Sequence, residues 1–243
     1  MATEVFNRYE HKYLLNGEQF KKALDIMDMH MKLDAYNKNH KPYMIANIYF
    51  DTECDYLIRK SLSKPEYKEK LRLRAYGVPK KDDLVFLEIK KKAYGIVNKR
   101  RTKIKLEDAL AFVSTGIKPS LKPYMNRQVL NELEFFINRY KVIPRLYLAY
   151  DRIAYFENDN PDLRISFDMN IRSRRYNLSP DMGDYGENLL PDGVYLMEIK
   201  TALAKPLWLA KTLSELGLKK SSFSKYGTEY KNLLTEKPEN IAI

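Results

Sequence analysis

Residues 70–76 read KLRLRAY. Leu71 and Leu73 share one parity and Arg72 and Arg74 the other, which is the period of two that a β-strand imposes on its faces. The two guanidiniums then stand about 7 Å apart at roughly 3.3 Å of rise per residue, a spacing that suits a ligand with several anionic groups in a row. A solvated edge strand, where Lys and Arg discourage edge-to-edge pairing, would carry the same residues. Recurrence elsewhere in the chain separates the two readings.

The pattern does recur. Residues 84–91 (LVFLEIKK) set Phe86, Glu88 and Lys90 against Leu87 and Ile89. Residues 97–106 carry Lys99, Arg101, Lys103 and Lys105 on one parity, and a turn at Gly95 predicts a hairpin between these two strands. Tyr150 and Arg152 share a face of a strand over 145–156, and Arg164, Ser166 and Asp168 oppose Ile165 and Phe167 over 163–168. Glu198 and Lys200 oppose Met197 and Ile199 over 193–201, and Glu10 sits with Lys12 over 10–15. Residues 43–50 form a further strand.

Helical spacing places Phe20, Leu24, Met27 and Met31 on one stripe behind an Asn16 N-cap, read as core. Shorter helices are expected over 55–62 and 106–113, then one from near Pro123 to Tyr140, one over 205–218 with Trp208 on its apolar face, and a terminal helix after SSFSKYG. Residues 34–42 read as a polar loop and 172–192 as loop with some extended structure. No boundary separates two cores, so residues 1–235 are expected to form one domain and 236–243 a tail.

Among 243 residues, 44% hydrophobic composition supports a core and argues against general disorder. A formal charge of +11 points to a polyanionic partner. One cysteine, Cys54, excludes an internal disulfide, and with three histidines it offers no zinc-site spacing. Walker-type, GxGxxG and HExxH motifs do not occur. No apolar stretch approaches about 18 residues and the start has no signal-like segment, so a soluble, cytoplasmic protein is expected.

A half-buried sheet usually turns its apolar face inward and its charges to water. Here carboxylates stand beside cations on several strands. If the sheet closes with its apolar face outward beneath helices, the cations line a hydrated interior that concentrates the field on a linear polyanion. The interleaved carboxylates offset part of the repulsion, and they are also hard oxygen ligands for Mg²⁺ or Mn²⁺. Glu198 reads equally as a metal ligand or as a structural salt bridge. Glu10 is a second metal candidate for which, as for Glu88, a salt bridge is the first reading.

RYEHKYL, KLRLRAYG, LEIKKK with a basic strand behind it, AYDRIAYF, LRISFD, YLMEIK and FSKYG occur in the order found in the polyphosphate polymerase domain of the vacuolar transporter chaperone family. The chain resembles that family, part of the triphosphate tunnel metalloenzyme or CYTH-like superfamily, over roughly residues 4–232. The resemblance implies an α+β fold: a closed antiparallel β-barrel of about eight strands surrounded by helices. It also implies an ATP-dependent transferase that adds the γ-phosphate of ATP to inorganic polyphosphate, with Mn²⁺ or Mg²⁺ as cofactor.

Carried over by residue, Lys12, Arg72, Arg74, Lys90, Arg152 and Arg164 look like phosphate ligands, with Lys99 or Arg101 from the second hairpin strand and with Lys200 sharing their parity. Glu198 looks like the metal-binding carboxylate. Ser224 and Lys225 match a Ser-Lys pair on a terminal helix that closes over the tunnel. Tyr150 lines the pocket or is an ordinary wall tyrosine. Many tunnel triphosphatases open with Glu-x-Glu-x-Lys, where this chain has Arg8, Glu10 and Lys12; the exchange favours holding phosphate over hydrolysing it. Fungal members also carry membrane spans, so coupling to transport would need a separate membrane partner that holds the protein at the inner membrane face. A triphosphatase, a non-catalytic polyphosphate binder and a nucleic-acid binder are the rivals. Nucleic acid ranks last, because the basic residues alternate on strands with carboxylates among them and no recognised binding motif occurs.

Overall fold

Alternating segments along the chain pair into one antiparallel sheet. A computed structural model describes residues 9–94, 96–157, 162–202 and 204–236; Arg8, the turn expected at Gly95 and residues 237–243 of the expected tail lie outside the described residues. Strand β1 (Tyr9–Leu15) leads into α1 (Gly17–His30), then come β2 (Lys32–Leu33), β3 (Tyr43–Asp51) and α2 (Tyr56–Leu62). Next are β4 (Tyr67–Tyr76), β5 (Leu84–Ala93), β6 (Ile96–Lys105), α3 (Leu106–Thr115), α4 (Arg127–Tyr140) and β7 (Ile143–Phe156). The chain continues through β8 (Arg164–Arg174), β9 (Glu187–Asn188), β10 (Tyr195–Thr201), α5 (Leu207–Glu215), β11 (Lys220–Ser221) and α6 (Lys225–Glu236).

The hydrogen-bonded order is β11-β1-β10-β8-β7-β3-β4-β5-β6, with β2 on β7 and β9 on β8. Register carries the charged parity from strand to strand. Lys70 faces Lys90, Arg72 faces Glu88 and Glu88 faces Arg101. Across the other half, Arg152 faces Asp168, Arg164 faces Lys200, Lys200 faces Glu10 and Glu198 faces Lys12. One face of the sheet is therefore cationic across its width.

The opposite, apolar face packs beneath helices. Leu71, Leu73, Leu87, Ile89 and Ile104 are buried with Phe112 of α3 and Val129, Leu133 and Phe136 of α4. Tyr13, Ile165, Phe167, Met197 and Ile199 are buried with Phe20 and Met27 of α1 and Leu209 of α5. Each such side chain contributes about 1.5–3 kcal/mol of transfer free energy. The main apolar cores thus lie outside the curved sheet, leaving its concave face to the charges. One end of the concave side is apolar instead: Ile45, Tyr49, Leu146 and Leu148 pack with Ile58 of α2 and with Tyr226 and Tyr230 of α6.

Several expectations need correction. The hydrogen-bonding path does not close: β6 and β11 end it among the described residues, so the sheet is curled rather than a closed barrel. The physical reason is that β11 occupies the outer edge of β1 at Lys12 and Tyr13, where a closing strand would pair. Helix α4 begins at Arg127 rather than near Pro123, because the Asn126 side chain accepts the Val129 N–H at 3.1 Å and sets the cap there. Residues 172–192 are loop with some extended structure, as expected: β8 runs to Arg174 past an irregularity opposite Ala149–Asp151, and β9 covers Glu187–Asn188. Residues 34–42 are pinned, since the buried Asn37 side chain donates to the Arg152 and Lys41 carbonyls and accepts from the Ala154 N–H.

Because Leu133 is fully buried in the outer core, Leu133→Ala is expected to cost about 2–5 kcal/mol in urea unfolding.

Candidate functional site

The concave face encloses a cavity of about 470 Å³. Its wall takes Lys70, Arg72 and Arg74 from β4, Lys90 from β5, and Lys99 and Arg101 from β6. From the other half come Glu10 and Lys12 of β1, Tyr150 and Arg152 of β7, Arg164 of β8, and Glu198 and Lys200 of β10. Ser224 and Lys225 reach it from the start of α6. All candidates marked from the sequence thus lie on one wall. Sequence reasoning did not single out Lys70, although it shares the parity of Arg72 and Arg74, nor Tyr43, Tyr49, Tyr76 and Tyr226, which also line the cavity.

Two carboxylates behind the wall hold the cations in place. Glu88 is buried on β5; Arg72 binds its Oε2 through Nε and Nη2 at 2.7 Å each, and Lys99 and Arg101 approach its Oε1 at 3.4 and 3.8 Å. Burial alone would raise the Glu88 carboxyl, but Arg72, Arg74 and Lys99 hold it far below the usual range. Asp168 does the same on β8: Arg152 clamps it at 2.6 and 2.8 Å, and Lys225 donates to it from α6. Burial would raise Asp168 too, and Arg152 and Lys225 overcome it. The parity shared by Asp168 and Arg164 was visible in the sequence; its role as anchor for Arg152 and Lys225 was not.

Glu198 sits at the centre of a second group. Its Oε1 lies 3.1 Å from Lys225 Nζ and 3.5 Å from Lys12 Nζ, and its Oε2 lies 3.5 Å from both Arg152 and Lys200. Glu10 adds contacts to Lys12 at 3.3 Å and to Lys90 at 4.0 Å. The Lys90 contact brings β5 against β1, strands that stand far apart in the ladder. Against burial and the neighbouring Glu198, Lys200, Lys90 and Lys12 bring the Glu10 carboxyl down to about 2.

Tyr150 joins the two halves. Its hydroxyl accepts from Arg74 Nη2 at 3.2 Å, and Arg152 and Lys225 lie over its ring at 5.0 and 4.6 Å. Arg74 also donates to Asn47 Oδ1 at 3.1 Å, so its fork is aimed rather than free to swing.

Helix α6 closes one end through contacts that its sequence makes specific. Ser224 Oγ accepts the Gly227 N–H at 3.3 Å, a capping contact. Gly227 leaves room for that hydroxyl and for Leu62 of α2, since a Cβ there would meet them at 3.1 and 3.2 Å. Arg175 grips Glu229 at 2.7 and 2.8 Å, and Tyr226 donates to Asp51 at 3.3 Å. These bonds tie α6 to the residue just past β8 and to β3.

As a metal site, the wall offers two hard oxygen donors, Glu198 and Glu10; among the described residues no three His, Cys, Asp or Glu side chains converge. That donor set fits a single divalent cation held by one or two carboxylates, with phosphate oxygens completing its shell. Among the described residues, no helix is long and apolar enough to cross a membrane.

Fold and site together define a curled antiparallel sheet with helices outside and a concave wall of cations backed by carboxylates, an arrangement whose charge suits an anionic ligand. By its sequence the chain belongs to the VTC domain family, whose profile matches residues 7–234. No curated protein matches it. Among solved structures it is similar to a candidate adenylate cyclase from Bacillus halodurans, with 13% identity, TM-score 0.55, and coverage of 91% of this chain and 96% of that one. It is also similar to a Hippeastrum candidate adenylyl cyclase with a dominant triphosphatase activity, with 17% identity, TM-score 0.53, and coverage of 92% and 95%. At these identities the likeness speaks for the fold.

Two outcomes follow. Asp168→Asn leaves Arg152 and Lys225 buried beside each other with less counter-charge, and urea unfolding is expected to show a loss of about 3–5 kcal/mol, partly recovered by added tripolyphosphate. Burial, aided by Lys90, Lys68 and Lys12, pushes Lys70 down to about 8; burial with Arg72, Arg74 and Arg101 depresses Lys99. An anion restores their charge, so binding takes up protons. Affinity is then full below the ligand-free value and falls as pH rises through 8, which calorimetry in buffers of different ionisation enthalpy would register.

Proposed function

We propose that the chain is an ATP-dependent polyphosphate polymerase, transferring the γ-phosphate of ATP to the end of an inorganic polyphosphate chain. The family match and the cationic cavity support an activity on tri- or polyphosphate. The observation that favours transfer over hydrolysis is the balance of the wall: eleven cationic side chains against two carboxylates, Glu10 and Glu198. A hydrolase must position and activate a water. A polymerase must instead hold two polyanions end to end, which is what a surplus of cations does.

Phosphoryl transfer asks little covalent chemistry of a protein and is accelerated by positioning and by neutralising charge. The acceptor's terminal oxygen, ionised near neutral pH, forms a bond to the γ-phosphorus as the bond to the β,γ-bridging oxygen breaks; ADP leaves with that electron pair, and no base is required. Arg72 and Arg74, held by Glu88 and by Asn47 with Tyr150, would grip one stretch of phosphate. Arg152, Arg164, Lys12, Lys90 and Lys200 would grip the other, and Lys225 with Ser224 would close the end under α6. Glu198, with Glu10, would hold one Mn²⁺ or Mg²⁺, which supplies charge neutralisation on phosphate oxygens.

Purified protein given ATP and Mn²⁺ is expected to yield long-chain polyphosphate on a gel with little free phosphate; free phosphate without polymer would identify a triphosphatase, and neither product a binding module. Arg72→Ala is expected to abolish polymer formation without unfolding the protein, because Glu88 keeps Lys99 and Arg101 as partners. Retained synthesis in that variant would sink the assignment. Glu198→Ala is expected to remove the response to Mn²⁺.

A further inference from the structure

We propose that the mouth of the cavity away from α6 carries a nucleobase platform built from Tyr76 and Tyr43, with Tyr36 and Phe86 extending it; this rests on the nucleotide-dependent reading above. The four rings form a continuous arc: Tyr36 to Tyr43 at 6.1 Å, Tyr43 to Tyr76 at 6.0 Å and Tyr76 to Phe86 at 6.1 Å between centroids. Tyr36 is 81% exposed and Tyr76 51% exposed, so large π-faces stand open to solvent at the rim. Arg101 lies over Phe86 at 4.5 Å, stiffening the far end.

Two further observations point to a ligand here. The arc is built rather than incidental, because the segment carrying Tyr36 is fixed by the buried Asn37 bonds to β7 and by the Asp34 side chain accepting the Tyr36 N–H at 3.0 Å. Beside it Arg164, stacked on Phe156 at 4.6 Å and 3.7 Å from Asp34, has a buried Nε without a hydrogen-bond partner in the protein. A part-exposed guanidinium charge next to exposed rings suits a ligand that is flat and aromatic at one end and anionic at the other.

Position orders the two ends. Tyr76 is on the cavity face of β4 with Arg74 two residues deeper, about 7 Å along the strand, and Arg72 beyond it. A nucleotide whose base stacks on Tyr76 therefore runs its triphosphate inward along those arginines, towards α6. Stacking recognises the face of a base and not its edges, so this platform accepts any nucleobase and favours purines for their larger rings.

Dissociation constants for ATP and for inorganic tripolyphosphate, measured on the full chain and on Tyr76→Ala and Tyr76→Phe, test the platform. In Tyr76→Ala the affinity for ATP is expected to fall about 10-fold while tripolyphosphate stays within about twofold, and Tyr76→Phe is expected to behave as the parent. Equal losses for both ligands, or no loss for ATP, would overturn the platform. A parent chain that binds both ligands but makes no polymer would overturn the polymerase reading alone, and one that binds neither would overturn both.

Discussion

Mutual repulsion among cations is the constraint that organises this molecule. Two like charges 4 Å apart repel by about 4 kcal/mol at the effective dielectric near a protein surface, and the concave wall gathers eleven such groups. The fold meets this by distributing carboxylates one strand away from the groups they serve. Glu88 on β5 faces Arg72 on β4 and Arg101 on β6, Asp168 on β8 faces Arg152 on β7, and Glu198 on β10 faces Lys12 on β1. A register slip of one residue on any of these strands would turn its charges into the apolar outer core and its leucines into the cavity. The charges that line the cavity therefore also specify the pairing.

Separation of the two jobs follows. Stability comes mostly from outside, where α3 and α4 cover one half of the sheet and α1 and α5 the other, so the inner wall is free to be electrostatically unfavourable when empty. Depressed lysines such as Lys70 are the visible cost of that arrangement. A polyanion in the cavity would relieve it, and part of any binding energy would then be repulsion removed.

Much of this was legible in residue parity alone. The opposition of Leu71 and Leu73 to Arg72 and Arg74 located the wall and its outer core, and the recurrence of that opposition located the strand residues that line the cavity, whereas Ser224 and Lys225 came from the family resemblance. The conditional on closure was where parity failed: it says which face a residue takes, not whether the last strand finds a partner, and β11 on the edge of β1 involves only two residues with no pattern of their own. A salt bridge was legible for Glu88, but its partners Arg72, Lys99 and Arg101, like the anchoring role of Asp168, were hidden for a related reason, since they depend on register between strands. Asn126 capped α4 where Pro123 had drawn the reading, because a capping side chain competes locally with a proline's preference and nothing in the periodicity ranks the two. Tyr43 and Tyr76 lay in plain sight on the right parity, but isolated tyrosines in a chain with 19 of them carry little weight before their rings are seen in line.

The unclosed edge has a mechanical meaning. A closed barrel has its bore fixed by strand number and shear. Here the far sides meet through the 4.0 Å contact between Lys90 and Glu10, a side-chain clasp in place of a backbone ladder. A clasp of this kind yields to charge: its lysine is also one of the groups a polyanion would engage, so loading the cavity loosens the very contact that spans the seam. The girth of the channel at this seam is therefore set by two side chains, and among the described residues no backbone ladder spans it.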